Sequence, residues 1–468
     1  MVTGGSFSAD SSAMTWVALG VLATIVGAWY QPVSVDEAWS LVVARRMNRG
    51  DRLYRDVFYG AAPLAIWLQS LAFRLLRPQG VVVRGLTVIY QVAQLWAAAA
   101  LLGGDSPAVF AVVGVLVGIG GLHLGLHNHY GQLTAASALW GAVAVFHGLP
   151  VVAGLVLGLG LLGRYPAGVL ATVALGLVVG WSGDWPGALG LLAASTVPVL
   201  VFVLVRPSSV RWFVERAVAN KRAYLASGGF SPRQWVTTRT WSSWPVIAIH
   251  ASTTVAMLGV VAAPAASAWS LYRGLPGSAI ALALAAVGLL MVYPRFDGAH
   301  ALAAIALSGP AVALAASSAE WLLWVGALGW LMAVLGLAGR VRLTRVGTYR
   351  RDLPSMRHLP VAPIRGGVWP DETLELPTEV FLLRIDAALV YACGGLVNPT
   401  PFDYPAVSTF GAGGQRLVLN RFQEGMPVCN GWGDPTGPLT PVELLEGLVG
   451  AEARQTRLGA LLGDGRSQ

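Results

Sequence analysis

The chain has 468 residues, of which 55% are hydrophobic and 12% are charged, and its mean hydropathy is +0.62. This composition excludes an ordinary water-soluble enzyme and indicates a polytopic membrane protein. The net charge of +8 comes almost entirely from arginine, since Lys221 is the only lysine, and because no nucleic-acid-binding motif accompanies it, a lipid phosphate is the expected anionic partner.

Apolar runs long enough to cross about 30 Å of hydrocarbon follow one another from Met14 to about Leu337. The stretch before Met14 has no basic residue, so we expect the first span to be retained and not cleaved as a signal peptide. About eleven membrane helices are predicted, near residues 14–30, 84–102, 107–122, 132–147, 150–163, 166–181, 187–205, 244–263, 278–293, 298–316 and 319–338.

From Arg340 onward the sequence is rich in proline, glycine and charge, with only short apolar pieces. That change predicts a small soluble α/β domain. The predicted fold class is therefore an all-α polytopic membrane protein with interfacial helices, in which residues 1–339 form the membrane domain and residues 340–468 form a C-terminal soluble α/β domain.

The segment 61–77 decides how the polar stretches are placed. It is long enough to span, but Gln69, Ser70 and Arg74 interrupt it, so an interfacial helix is the other possibility. A spanning helix would separate the early acidic residues from the other polar stretches. A flat helix would bring one set of polar segments to the same membrane face, together with the C-terminal domain: residues 31–83, HLGLHNHY, RYP, 206–243 and YPRFDGAH.

Four segments, in chain order, resemble the GT-C membrane glycosyltransferases. The first, DEAWSLVVARRMNRGDRLYRDVFYGAAPL, has an acidic pair after the first span, then a G-x-x-x-Y-x-D stretch and a Pro-Leu helix start. The others are GLLGRYPAG, MVYPRFDGAH and NPTPFDYP. Together they are most similar to the protein O-mannosyltransferase and aminoarabinose transferase branch, which is glycosyltransferase family 39-like, and they cover nearly the whole chain.

This resemblance implies a membrane enzyme that moves one sugar, hexosyl or pentosyl, from a polyprenyl-phosphate donor to an acceptor hydroxyl. The reaction would take place at the extracytoplasmic face of the cytoplasmic membrane, and the acceptor could be a protein, a lipid or a glycan. Such a donor needs a lipid-accessible groove, basic groups for the leaving phosphate and a carboxylate base. No cofactor is certain, and a divalent metal is possible.

The resemblance implies catalytic roles for three acidic residues. Asp36 matches the first acidic position and is the candidate general base, and the alternative is a helix N-cap. Glu37 is a second candidate, which could instead orient Asp36 or pair with an arginine. Asp56 matches a second acidic position that holds acceptor or metal in some relatives, and the alternative is an ordinary loop carboxylate.

The resemblance also places basic residues at the donor phosphate. Arg164, beside Tyr165, lies at a break between two apolar helices, where it would bind phosphate or snorkel to the interface. Arg295 and His300 would bind the same phosphate, and the alternative is an Arg–Asp loop pair with a capping histidine.

Two further features have competing interpretations. The loop 206–243, with Arg233 and Trp235, predicts either a lid over the donor or an interfacial helix with anchoring side chains. His127 and His129 are weak metal candidates, since relatives often have an acidic residue in this stretch and this chain has none.

The membrane orientation rests on opposing signals. The arginine-rich stretches 45–55, 206–239 and 340–357 all fall on the face expected to be extracytoplasmic, whereas the positive-inside rule favours the cytoplasm for that face. We expect the extracytoplasmic assignment because phosphate binding gives these arginines another role. On that face Cys393 and Cys429 could form a disulfide, and two separate thiols are the alternative.

Two other functional classes fit a polytopic membrane protein. A lipid or glycolipid flippase would usually place ionisable residues near the bilayer midplane in two related halves. Here the polar residues gather at one face and no internal repeat is evident. A noncatalytic accessory subunit is the other alternative, in which the early acidic residues only cap helices.

Overall fold

The computed structural model describes residues 11–30, 33, 35–76, 80–118, 129–218, 244–275, 277–292, 298–315, 319–345, 379, 381–382, 388, 391–392, 397–401 and 417–429. Most of this part of the chain is helical. The helices are α1 Ser11–Tyr30, α2 Val35–Asn48, α3 Leu64–Leu75, α4 Gly80–Leu101, α5 Ser106–Val115, α6 His129–Phe146, α7 Pro150–Leu161, α8 Tyr165–Trp181, α9 Trp185–Val205, α10 Pro207–Trp212, α11 Trp244–Tyr272, α12 Ser278–Val292, α13 Gly298–Ala315 and α14 Ala319–Arg345.

Each predicted span coincides with one of these helices. Among the described residues, the stretches that are long and apolar enough to cross a membrane, by length and composition, are α1, α4, α9 and Glu320–Ala338 of α14. Shorter apolar helices lie between them, including α7, α8 and α12. Large apolar side chains are exposed on the outside of the bundle, Leu177, Leu204 and Trp324 among them, as a lipid-facing surface requires. The chain is a multi-pass membrane protein.

The segment that decides the topology forms α3. It has 12 residues, and its outer side carries the exposed charge of Arg74, which is costly in the hydrocarbon of a bilayer. One side of α3 is buried, with Ile66, Gln69 and Phe73, while Leu71 and Leu75 are exposed. This geometry favours the interfacial helix over the spanning one.

Glycine allows the closest helix contacts. A Cβ added to Gly158 of α7 would lie 2.5 Å from the Ser195 carbonyl oxygen and 2.7 Å from Pro198 of α9, so the two backbones touch. A Cβ on Gly114 of α5 would lie 2.7 Å from the Gly326 carbonyl oxygen of α14. Small residues at such crossings are typical of helices that pack within a membrane.

The C-terminal part contains both helix and strand among its described residues. β1 Phe381–Leu382 pairs in parallel with β2 Val428–Cys429, and a short helix covers 417–423. The extent of the predicted α/β domain stays a prediction.

Candidate active site at one end of the helix bundle

The acidic pair Asp36 and Glu37, here called the acidic turn, lies in the first turn of α2. Arg45 and Arg46 lie in the last turn of the same helix. Negative charge at the N-terminus and positive charge at the C-terminus both stabilise the helix dipole. The acidic turn therefore stabilises α2 through the helix dipole, from inside the first turn and not from the N-cap position.

Glu37 makes a buried ion pair with Arg84 of α4. The guanidinium donates from Nε to Oε1 at 2.9 Å and from Nη2 to Oε2 at 2.7 Å. Its Nη1 donates to the Ala28 carbonyl of α1 at 2.7 Å. The two side chains are only 3% and 2% exposed, so this one arginine ties together the end of α1, the start of α2 and the start of α4.

Asp36 is partly buried beside a cluster of phenols. Tyr59, on the loop after α2, is fully buried. Burial raises the pKa of the Tyr59 hydroxyl well above its ordinary value, and charge on the neighbouring tyrosines and on Asp36 raises it further. Its ring lies 6.3 Å from that of Tyr130, edge-on. The Tyr59 ring also lies 5.2 Å from that of Trp39 on α2, so a phenol that stays protonated packs against the helix that carries the acidic turn.

The backbone conformation of the first loop, residues 49–63, explains why its residues follow the G-x-x-x-Y-x-D spacing. Gly50 has a φ of 112° and Tyr54 a φ of 67°, the left-handed region that is costly for a bulky side chain. Tyr54 is completely buried, and its hydroxyl donates to the Ala61 carbonyl at 2.7 Å while its N–H donates to the Val57 carbonyl at 2.7 Å. These contacts hold a tight turn.

Asp56 stabilises the same turn. Its Oδ2 accepts hydrogen bonds from the Arg52 N–H at 3.0 Å and from the Arg52 guanidinium at 3.1 Å. Partial burial acts to raise the pKa of this carboxyl, but the hydrogen bonds and charge of Arg52, with the charge of Arg55, lower it overall. The geometry supports the loop alternative for Asp56 more than a catalytic role.

Arg164 is the N-cap residue of α8, and Pro166 lies in the first turn of that helix. The predicted break between two apolar helices is present: α7 ends at Leu161 and α8 begins at Tyr165. The Arg164 Nη1 donates to the Met291 carbonyl, at the end of α12, at 2.6 Å. Arg164 thus joins the helix break, residues 162–165, to the start of the MVYPRFDGAH segment.

Contacts join the first loop to the helix break. The Leu64 N–H donates to the Leu162 carbonyl at 2.9 Å. The ring of Phe213, in the π-helical turn Phe213–Val218, lies 5.2 Å from Tyr54 and 5.9 Å from Tyr165. The first loop, the helix break and the start of the 206–243 loop therefore meet at one end of the bundle, as a flat α3 predicts.

Several predicted site residues lie outside the described residues: Arg233, Trp235, Arg295, His127 and Cys393. For His129, His300 and Cys429 only the backbone is described; they begin α6, occupy the first turn of α13 and end β2. Within the described ranges, no group of three His, Cys, Asp or Glu side chains could hold a metal ion.

Sequence reasoning missed Arg84 and Tyr59. Arg84 carried a signal, because an arginine inside a predicted span is costly unless it is paired, and Glu37 was one of the few acidic residues available to pair with it. Tyr59 carried no such signal, since its burial beside Asp36 depends on how the first loop folds back over α2.

No family model and no curated protein matches the chain. Solved structures of ArnT from Cupriavidus metallidurans do, one bound to undecaprenyl phosphate and one in the apo state. Each is 15% identical with a TM-score of 0.38, and the match covers 89% of this chain and 89% or 90% of the other. The four motif segments carry the family resemblance. The chain resembles a GT-C glycosyltransferase. Because the TM-score is below 0.5, the function proposed below rests on the motifs and on the geometry.

Proposed function

We propose that this chain is a membrane glycosyltransferase, which moves a single sugar from a polyprenyl-phosphate donor to an acceptor hydroxyl, with Asp36 as the general base. One observation carries the proposal: the acidic turn and the helix break with Arg164 lie at the same end of a lipid-facing bundle, joined through the first loop. A carboxylate and a guanidinium at a shared membrane face fit an acceptor hydroxyl and an anionic lipid donor.

In the proposed step the Asp36 carboxylate takes the proton of the acceptor hydroxyl. The hydroxyl oxygen forms a bond to the anomeric carbon of the sugar as the bond from that carbon to the phosphate oxygen breaks. The polyprenyl phosphate leaves with the electron pair and with one more negative charge. Arg164 would stabilise that charge in the transition state, with Tyr165, Arg295 and His300 completing the phosphate site.

The membrane placement belongs to the same proposal. About eleven helices would span, and the site and the C-terminal domain would lie on the extracytoplasmic side. Arg233 and Trp235 would lie on a lid over the donor. His127 and His129 remain candidates for a metal, and Cys393 and Cys429 for a disulfide on that oxidising side.

Replacing Asp36 by Asn tests the base. We expect transfer to fall about 10²- to 10⁴-fold, because the amide cannot accept the proton. Cells that produce the wild type or the variant would be compared by mass spectrometry of their glycans, lipids and polyprenyl-phosphate sugars. The transferred sugar should disappear and its polyprenyl-phosphate donor should accumulate.

Asp184→Asn is the matched control. Asp184 is the N-cap of α9, its Oδ1 accepts from the Gly187 N–H at 2.8 Å, and Asn is an equally good cap. It lies at the end of the bundle away from the acidic turn, so its variant should transfer sugar normally. Normal transfer by folded Asp36→Asn would refute the base assignment.

A further inference from the structure

The last turn of α2 binds the backbone of the C-terminal segment, here residues 391–392 and 397–401. Arg45 donates from Nη2 to the Ala392 carbonyl at 3.1 Å and from Nη1 to the Tyr391 carbonyl at 3.5 Å. Arg46 donates from Nη1 to the Thr400 carbonyl at 2.7 Å. These contacts join parts of the chain that are about 350 residues apart.

Arg46 reaches the first loop with its other nitrogens. Its Nε pairs with Asp51 at 2.6 Å, and its Nη2 donates to the Asp56 carbonyl at 2.9 Å. One guanidinium thus holds α2, the first loop and the C-terminal segment in a single arrangement. A planar fork with five donors suits this task, whereas a lysine ammonium could not reach all three acceptors.

The C-terminal segment is itself shaped for these contacts. The Asn398 Oδ1 accepts from the Thr400 N–H at 2.8 Å and from the Thr400 hydroxyl at 2.9 Å. Both side chains are buried. This Asx turn directs the Thr400 carbonyl to Arg46 and the Pro401 carbonyl to the Phe58 N–H, which donates to it at 2.8 Å.

Apolar contacts strengthen the same junction. Tyr391, Ala392 and Ala388 are buried in one cluster with Tyr54 and Val57 of the first loop. Phe58 is buried in a second cluster with residues of the C-terminal part, namely Phe381, Val418 and Met426. The residue after Phe58 is Tyr59, whose ring lies 5.2 Å from that of Trp39 on α2.

We propose that the C-terminal segment is a positioning element of the active site, which Arg46 and Asn398 lock onto the first loop so that Tyr59 stays packed on Trp39, one turn after Asp36 on α2. This inference rests on the proposed function. Catalytic groups must be held to a fraction of an ångström by their surroundings, and an error of about 1 Å can cost on the order of 10² in rate. Sugar transfer therefore depends on a turn more than 300 residues downstream of the base.

The test uses the full chain with Asn398→Ala and Arg46→Lys. Both should leave the KM for the donor unchanged and lower kcat about 10- to 100-fold, with the folded amount unchanged. Asn398→Asp keeps an oxygen that accepts from Thr400 and should restore most of kcat. Asn420→Ala and Arg273→Lys, at exposed positions away from these contacts, are the matched controls and should behave as the wild type.

Hydrogen exchange followed by mass spectrometry gives a readout that needs no activity. In Asn398→Ala, amides 53–59 should exchange about tenfold faster, since the Phe58 N–H loses a fixed acceptor, while those of α7 should not change. Unchanged exchange in the first loop would overturn the inference, as would wild-type kcat in both variants. If the wild type transfers no sugar, the proposed function is wrong. The exchange experiment would still show whether Asn398 holds the first loop against the C-terminal segment.

Discussion

Two neighbouring acidic residues have different environments. Glu37 is buried and bound at both oxygens by Arg84, whereas Asp36 is partly buried beside protonated phenols. The geometry therefore supports the alternative in which Glu37 pairs with an arginine and fixes the turn, and Asp36 stays the proposed base.

Glu37→Gln should destabilise the protein by about 3–5 kcal/mol, because it leaves the Arg84 charge buried without its partner. Thermal unfolding in detergent would measure this. The double variant Glu37→Leu with Arg84→Met should recover much of the loss. Glu215→Gln breaks an exposed pair with Arg211 and should leave the unfolding midpoint almost unchanged, because water screens exposed pairs. Equal losses of thermal stability in Glu37→Gln and Glu215→Gln would contradict the conclusion that the buried Glu37–Arg84 pair stabilises the fold.

Asp56 makes the stability of the first loop depend on pH. The pKa of Asp56 is lower in the folded chain than its ordinary value, so the stabilisation is present above that ordinary value, about 4, and is lost as pH falls through the folded value. Asp56→Asn should therefore unfold at a lower temperature than the wild type at pH 7. The difference should shrink below about pH 4, and a gap that grows on acidification would oppose this explanation.

At the scale of elements, the first loop and α3 place the site. α2 carries the acidic turn at one end and two arginines at the other, and the loop returns beside it through the left-handed Gly50 and Tyr54. The exposed Arg74 favours an α3 that lies along the interface, which keeps the acidic turn on the face of Arg164. A spanning helix here would have put the acidic turn across the membrane from Arg164.

Gly50→Ala should cost about 1–3 kcal/mol, because a φ of 112° is strained for any residue with a Cβ. Steric crowding is not the cause of this expected loss, since no atom of the described residues outside the immediate chain neighbours lies within 4 Å of a Cβ added at Gly50. Gly85→Ala is a matched control in α4 that also has open space, and it should be neutral or stabilising. Thermal unfolding of the two variants would show the difference, and equal midpoints would argue against backbone strain in the loop.

In the whole molecule, the direction in which each helix runs decides at which of the two ends of the bundle the next loop lies. The α6–α7 turn, with His147, lies at the end of the bundle opposite the helix break, because α7 runs from that turn to the break. Arg52 and Glu424 lie on the face of the site, in the first loop and in the C-terminal part that packs on it.

Single cysteines would test this arrangement in a chain with Cys393 and Cys429 replaced. A membrane-impermeant maleimide added to whole cells should label Arg52→Cys and Glu424→Cys to the same extent. His147→Cys should react only after the membrane is opened. Labelling of Arg52→Cys only after opening would place the active site in the cytoplasm, as the positive-inside rule favours. Labelling of Arg52→Cys and His147→Cys from one side would refute the fold topology.

The helices and the break at Arg164 could be predicted from the sequence. Whether a stretch enters lipid depends on its own length and apolarity, so each predicted span became a helix. The acidic turn and the G-x-x-x-Y-x-D motif could also be recognised in the sequence, because the residues of a short motif favour a particular turn by themselves. These are local properties, and neighbouring residues are enough to fix them.

The partners of these residues follow from the folded chain. The Glu37–Arg84 pair, the packing of Tyr59 on Trp39 and the contact of Arg46 with Thr400 join residues that are 47, 20 and 354 positions apart. Hydropathy and motif spacing do not identify which arginine binds which carboxylate or carbonyl, since the sequence contains many of each and every arginine could bind several partners. The choice is made by the packing of helices and loops, which leaves one low-energy set of contacts within reach.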